Sequence, residues 1–239
     1  MNKTLMAGFI LLSVFCAVAP AQVLGSVDYV IGSVSVTRNG EALKKVDIGT
    51  PIENLDLIKT SSDSSITISF NKTKAKPDAS GLTGTLDIVP GTTVIIRQDQ
   101  LSGAASNDVR LITGSVGLKV QRLAGMKSSI QVHTPSSVLG VRGTEFVVSS
   151  FNGTTLVACK EHEVFCQAYS EITASHYSDA DGSSAVPGTM VEILESGKVN
   201  SGDFPAGNFE KNWTDVQKQW ASYVRQAKLT TVVNSRRRL

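Results

Sequence analysis

The stretch Ser65-Ile66-Thr67-Ile68-Ser69-Phe70 decides the fold. Side chains of an extended strand point alternately to opposite faces, so Ile66, Ile68 and Phe70 share one face and the three hydroxyls the other. A helical period would scatter the same residues around an axis. The alternation recurs in Thr85-Leu86-Asp87-Ile88, Thr93-Val94-Ile95-Ile96, Val109-Arg110-Leu111-Ile112, Val116-Gly117-Leu118-Lys119-Val120 and Ser129-Ile130-Gln131-Val132. Turn residues interrupt it every ~8–12 residues, and helical periodicity is absent between residues 29 and 169. Asn39-Gly40 and Asn152-Gly153 are the strongest hairpin signals, because both residue types accept positive φ. The spacing predicts an all-β domain over residues 26–200.

Two polar stretches, 72–84 and 175–184, read as loops between strands. Ile31-Gly32-Ser33-Val34-Ser35-Val36 has a faint echo in Thr113-Gly114-Ser115-Val116-Gly117-Leu118. In both, a glycine would let the chain turn into a new strand, which suits a solenoid-like coil or a sandwich. Towards the C-terminus the period changes. Phe209, Trp213, Val216, Trp220, Val224 and Ala227 recur at three- and four-residue spacing, predicting one amphipathic α-helix over 208–229 with Asn208 as its N-cap. Its polar face mixes both charge signs, so packing on the β-domain is favoured over a membrane surface, and Trp213 and Trp220 are the candidate partner surface if it does not pack. Residues 230–239 form a basic tail ending in Arg236-Arg237-Arg238-Leu239.

The N-terminus sets the expected compartment. Lys3, an apolar run through Phe15 and the small-x-small pattern Ala19-Pro20-Ala21 read as a secretory signal over 1–21, cleaved after Ala21. The run is shorter than the roughly 20 residues a membrane span needs. Cys16 would be a lipidation site, but bulky Phe15 precedes it. Losing Lys3 takes the formal net charge from +2 to +1, which leaves no concentrated basic face for nucleic acid. The expected location is the periplasm or the exterior, with no integral span in the mature chain.

One segment resembles a known signature. Thr134-Pro135-Ser136-Ser137-Val138-Leu139-Gly140-Val141-Arg142-Gly143-Thr144-Glu145-Phe146-Val147-Val148 is similar to that of the FecR-like domain, and Asp56-Leu57-Ile58-Lys59-Thr60 and Ile112-Thr113-Gly114-Ser115-Val116 stand ahead of it in the family's order. The resemblance spans residues 30–168. It implies an extracytoplasmic β-module that serves protein contact and signalling. The family's iron-uptake regulators carry in addition a cytoplasmic segment that controls a sigma factor; the signal at the head of this chain leaves no counterpart of it.

The residues make physical sense by themselves. Pro135 ends the preceding strand, Gly140 and Gly143 permit bends or close approach, and Val141 lies between them. Arg142 offers donors to carbonyls freed at such a bend, and Thr144 resumes the strand. No Gly-Lys-Ser/Thr follows the glycines, so this is no phosphate loop.

Cys159 and Cys166 flank Lys160-Glu161-His162-Glu163, which reads as a hairpin turn with both sulfurs on one face. The family often has Gly where His162 stands, implying positive φ there. An even pair in an oxidising compartment predicts a disulfide stapling the hairpin, worth about 2–3 kcal/mol. Metal binding by Cys159, His162 and Cys166 is the weaker reading, since export favours oxidation, and no metal or other cofactor is expected. Asp179-Ala180-Asp181-Gly182 hints at a calcium loop but lacks the Glu at position twelve. Gly-x-Ser-x-Gly and His-Glu-x-x-His are both missing. The sequence thus points to a binding or scaffolding module, not an enzyme, that contacts a protein partner or envelope component. A self-associating surface protein is the alternative, and an envelope hydrolase ranks third.

Overall fold

A computed structural model of the chain describes residues 22–70, 83–101, 104–120, 129–141, 143–169 and 182–203. Its regular elements there are strands: β1 (Val23–Ile31), β2 (Val34–Arg38), β3 (Glu41–Ala42), β4 (Pro51–Glu53), β5 (Leu57–Thr60), β6 (Ser65–Phe70), β7 (Gly84–Ile88), β8 (Thr93–Leu101) and β9 (Ala104–Val120). They continue with β10 (Ser129–His133), β11 (Ser137–Val141), β12 (Glu145–Phe151), β13 (Thr154–Glu161), β14 (Val164–Ala168), β15 (Ser183–Ala185), β16 (Thr189–Ile193) and β17 (Val199–Asp203). The expected helix over 208–229 lies outside the described residues.

The strands form two sheets. The first runs β4-β1-β6-β7-β9-β12-β13-β16-β17. The second runs β3-β2-β5-β8-β9-β10-β11-β14-β15. Order within each sheet follows order along the chain apart from the edge pairs, so the sandwich is wound progressively, like a flattened coil. Both readings of the glycine echo, coil and sandwich, describe part of it. The pairing of β9 with β10 is parallel and the other ladders are antiparallel.

One contiguous core fills the space between the sheets. Ile66, Ile68 and Phe70 enter it from β6, facing Ile58, Val94 and Ile96 from the second sheet. Burial of each such side chain stabilises the fold by roughly 1.5–3 kcal/mol relative to exposure. The predicted Ser65–Phe70 strand is β6, and the two Asn-Gly pairs close two-residue hairpins with φ of 51° and 85° at Asn39-Gly40 and 46° and 72° at Asn152-Gly153. These are the left-handed values that match the twist of the flanking strands.

The long strand β9 belongs to both sheets. Its first part pairs with β8 and β10, and from Gly114 onward it pairs with β12 and β7. The sequence suggested separate strands at 109–112 and 116–120; the ladder instead continues through Gly114, whose φ is +100°. A Cβ there would overlap Thr92. Gly32, with φ +71°, carries the chain from β1 in the first sheet to β2 in the second, and a Cβ there would overlap Ser64. The internal echo is therefore one corner used twice, in opposite directions. Two further crossings pass through positive φ, at Gly143 (+68°) between β11 and β12 and at His162 (+63°) between β13 and β14.

Two expectations need correcting. Cys159 and Cys166 do not flank a hairpin: β13 pairs with β12 and β16, and β14 pairs with β11 and β15. A short loop with one left-handed residue closes a hairpin or turns a corner equally well, and the next strand's partners decide which. The polar stretch 175–184 was expected to be a loop throughout, yet Ser183 and Ser184 pair with Cys166 and Phe165 in β15.

Candidate functional site

Alternation along the second sheet places Val109, Leu111, Ile130, Val132 and Leu139 in the core. Their neighbours must face outward. Register then aligns two outward rows. One runs Arg97, Asp108, Gln131, Gly140 and Phe165; the other runs Ile95, Arg110, His133, Val138 and Gln167. Tyr169 follows β14 on the same side, anchored by its backbone N–H donating to the Ser136 carbonyl at 3.0 Å.

An open cleft of about 260 Å³ lies here, lined by Arg110, Leu111, Ile112, His133, Thr134, Pro135 and Tyr169. Ile112 and Tyr169 are 46% and 42% exposed and give the cleft an apolar and an aromatic surface. His133 Nδ1 is 3.0 Å from the Tyr169 hydroxyl, and Nε2 is 3.3 Å from Gln131 Oε1 and 3.9 Å from Asp108 Oδ1. Both neighbours of Nε2 are acceptors, so Nε2 carries the proton and the Tyr169 hydroxyl donates to Nδ1. Burial lowers the His133 pKa, Asp108 opposes that, and Arg110 and Arg97 reinforce it. The net effect favours the neutral ring. Arg110 has no ion-pair partner among the described residues and supplies the formal charge of the cleft lining.

Thr134 and Pro135 give the cleft its wall. The Thr134 N–H donates to the Ser137 carbonyl at 2.9 Å, and Thr134 Oγ1 accepts from the Ser137 N–H at 3.0 Å. Thr134 Oγ1 and Ser136 Oγ lie 2.6 and 2.7 Å from Thr155 Oγ1 on β13, tying the turn to the first sheet. These hydroxyls are engaged inward. The cleft therefore combines Arg110 and a histidine, the latter backed by the Asp108 carboxylate outside the lining, with hydroxyls already committed to the fold.

The other signature residues sit at a corner. Gly140 lies within the β11 ladder opposite Gln131 and Phe165, without left-handed backbone, and so makes no bend. Val141 is buried at 2% exposure, and Gly143 turns the chain to the first sheet. Thr144 Oγ1 donates to the Glu161 carbonyl and lies 3.2 Å from Cys159 Sγ. Arg142 lies outside the described residues, as do Trp213, Trp220 and Asp179.

Cys159 and Cys166 are free thiols, fully buried in the shared core on opposite sheets. Burial pushes the Cys166 thiol up to about 12, with Cys159 contributing, and also raises Cys159. Cys159 Sγ donates to the Glu161 carbonyl at 2.9 Å. His162 is exposed at the corner, so the three residues of the metal reading do not converge. Among the described residues no group of three or more His, Cys, Asp or Glu is arranged to hold a metal.

Sequence reasoning missed one cluster. Asp56 is fully buried and accepts from Arg38 Nε at 2.9 Å and Nη2 at 2.8 Å. Arg38 Nη1 also meets Glu53 at 2.6 Å, and the Asp56 hydrogen bond heads the causes that raise the Arg38 pKa. The clamp joins β2 of the second sheet to β4 of the first. The available signal was a carboxylate standing immediately before the apolar strand Leu57–Thr60.

The described residues build a progressively wound all-β sandwich with glycine corners and an outward cleft on its second sheet. Residues 56–165 match the FecR protein family model. No curated protein matches. Two crystal structures of chains described as a candidate anti-sigma factor from Parabacteroides distasonis ATCC 8503 are similar. The one at 1.65 Å has 13% identity and TM-score 0.47, covering 64% of this chain and 62% of that one. The one at 2.50 Å has 15% identity and TM-score 0.42, covering 61% and 63%. The present chain thus spans less than two thirds of either. Among the described residues no helix is long and apolar enough to cross a membrane.

Proposed function

We propose that this protein is an exported, non-enzymatic signalling or scaffolding module that binds an acidic segment of a protein partner on the outer face of its second sheet. The observation that carries this reading is the cleft itself, with the Arg110 guanidinium, unpaired among the described residues, beside the exposed Tyr169 and Ile112. Tyrosine and arginine are the side chains enriched at interface hot spots. A carboxylate pairs with a guanidinium in a two-pronged geometry that water screens less when apolar groups surround it. A neutral His133 offers no competing charge, and its Nε2–H and the Tyr169 hydroxyl hold each other's orientation through the ring.

Export rests on the signal-like residues 1–21, and the signalling role rests on the FecR domain. The test is capture from envelope extract with the mature chain beside its Arg110→Glu and Tyr169→Ala variants. A protein retained by the wild type and lost from both variants, with retention falling as salt rises, supports the reading. Equal retention by all three chains places the interface elsewhere and refutes it.

A further inference from the structure

Part of the first sheet is dry on the side where it ought to be wet. In β12, Phe146 and Val148 face the core; in β13, Val157 and Cys159 do; in β16, Val191 and Ile193 do. Val147, Leu156, Ala158 and Met190 alternate with them and so point away from the second sheet. They are nevertheless only 2%, 0%, 0% and 8% exposed. A one-sided antiparallel sheet shows water a polar outer face, and this one does not.

Register arranges the strip. Gly117, Val147, Ala158 and Met190 form one row across β9, β12, β13 and β16, and Ser115, Ser149, Leu156 and Glu192 form the next. Gly117 and Ser149 are buried as well. The floor is therefore mostly small side chains, a shallow trough that a ridge of large ones fills. The polypeptide leaves the first sheet at this strip: in β17, Gly202 pairs with Met190, and Asp203 pairs with Thr189. Only Phe204-Pro205-Ala206-Gly207 separates that point from the amphipathic segment. A helix of 22 residues is ~33 Å long, more than the ~15 Å between the outer two of four adjacent strands.

We propose that residues 208–229 dock as a helix across the outer face of the first sheet, with Trp213 and Trp220 seated over the row from Gly117 to Met190. The large residues of the stripe complement the small residues of the floor. The short connection and the continuity of the exit point favour this chain's own segment over a second copy or a lipid surface.

The two tryptophans are the only ones in the chain, so their fluorescence reads this segment and nothing else. The experiment is acrylamide quenching of the mature full-length chain at a concentration where it is monomeric. Quenching several-fold weaker than in the denatured chain is expected, independent of dilution. Filling the floor with Ala158→Phe or Gly117→Leu should restore quenching towards the denatured value while the strand circular-dichroism signal stays. Free quenching in the folded monomer overturns the proposal. So does protection that appears only at high concentration or only with anionic vesicles. Protection that survives both substitutions in folded protein also overturns it, by placing the segment elsewhere.

Discussion

The backbone N–H of Ser115 donates to Oγ1 of Thr92 at 3.0 Å, immediately after Gly114 bends β9 from one sheet into the other. The same contact recurs where Ser33 N–H meets Ser64 Oγ at 2.7 Å, after Gly32. A backbone donor freed at a corner is costly to leave unpaired in a buried setting, and a hydroxyl on the facing turn satisfies it. The glycine is required twice over, for its φ and for the space a Cβ would take.

Gly114→Ala and Gly32→Ala should each destabilise the fold by about 2–4 kcal/mol, combining left-handed strain with steric overlap. Gly40→Ala, at a hairpin where nothing lies within 4 Å of the added Cβ, should cost only about 1 kcal/mol. Denaturant midpoints of the three variants check the order.

Neutralising Asp56 removes the fully buried carboxylate of the clamp and leaves Arg38 with Glu53 as its remaining carboxylate partner. Asp56→Asn should lower stability by about 3 kcal/mol. The double variant Arg38→Met/Asp56→Leu should recover part of that loss. A double-mutant cycle by chemical denaturation measures the coupling.

The buried thiols give a pH dependence of defined sign. Both folded pKa values are raised, so the unfolded chain loses these protons first as pH rises. Stability in the dithiol form should be full below the unfolded cysteine pKa and fall from about pH 9 upwards, towards the Cys166 value of about 12. Cys166→Ala should flatten that slope. Oxidised glutathione present during refolding is expected to join Cys159 to Cys166, two thiols giving one disulfide and two reduced glutathiones. Added to the folded protein it should do so slowly, because thiolates are scarce in the core. Intact mass before and after alkylation reads both outcomes. The bridge would link the two sheets, a different staple from the hairpin bridge the sequence suggested.

His133 should titrate below the ordinary histidine value, since burial is the leading cause of its shift. Its contribution to stability is then present above about pH 6.5 and lost as pH falls further, because the unfolded chain takes up the proton first. Ring-proton NMR shifts of His133 followed through a pH series, in the folded and in the denatured chain, test the direction.

Much of the architecture was legible because alternation is a local property. Ile66, Ile68 and Phe70 report their own faces, and Asn-Gly reports its own turn. What the sequence did not disclose is which strand a strand pairs with. Thr113-Gly114-Ser115 looked like a break between strands and is a bend within one, while the residues between Cys159 and Cys166 looked like a hairpin and form a corner. Pairing is set by non-local contacts that no short window contains. The same limit hid the cleft: Arg110, His133 and Tyr169 come from three elements and meet only through ladder register. The cluster of Arg38 with Asp56 was hidden likewise, the two being 18 residues apart in sequence and brought together only by the pairing of β2 with β5.

The most direct test of the central claim is a residue-resolved NMR titration of the mature chain with hexaglutamate at low ionic strength. The account predicts shift changes concentrated at Arg110, Ile112, His133 and Tyr169, abolished by Arg110→Glu and reversed by salt. Changes spread over the first sheet, or none at these four residues, would contradict it.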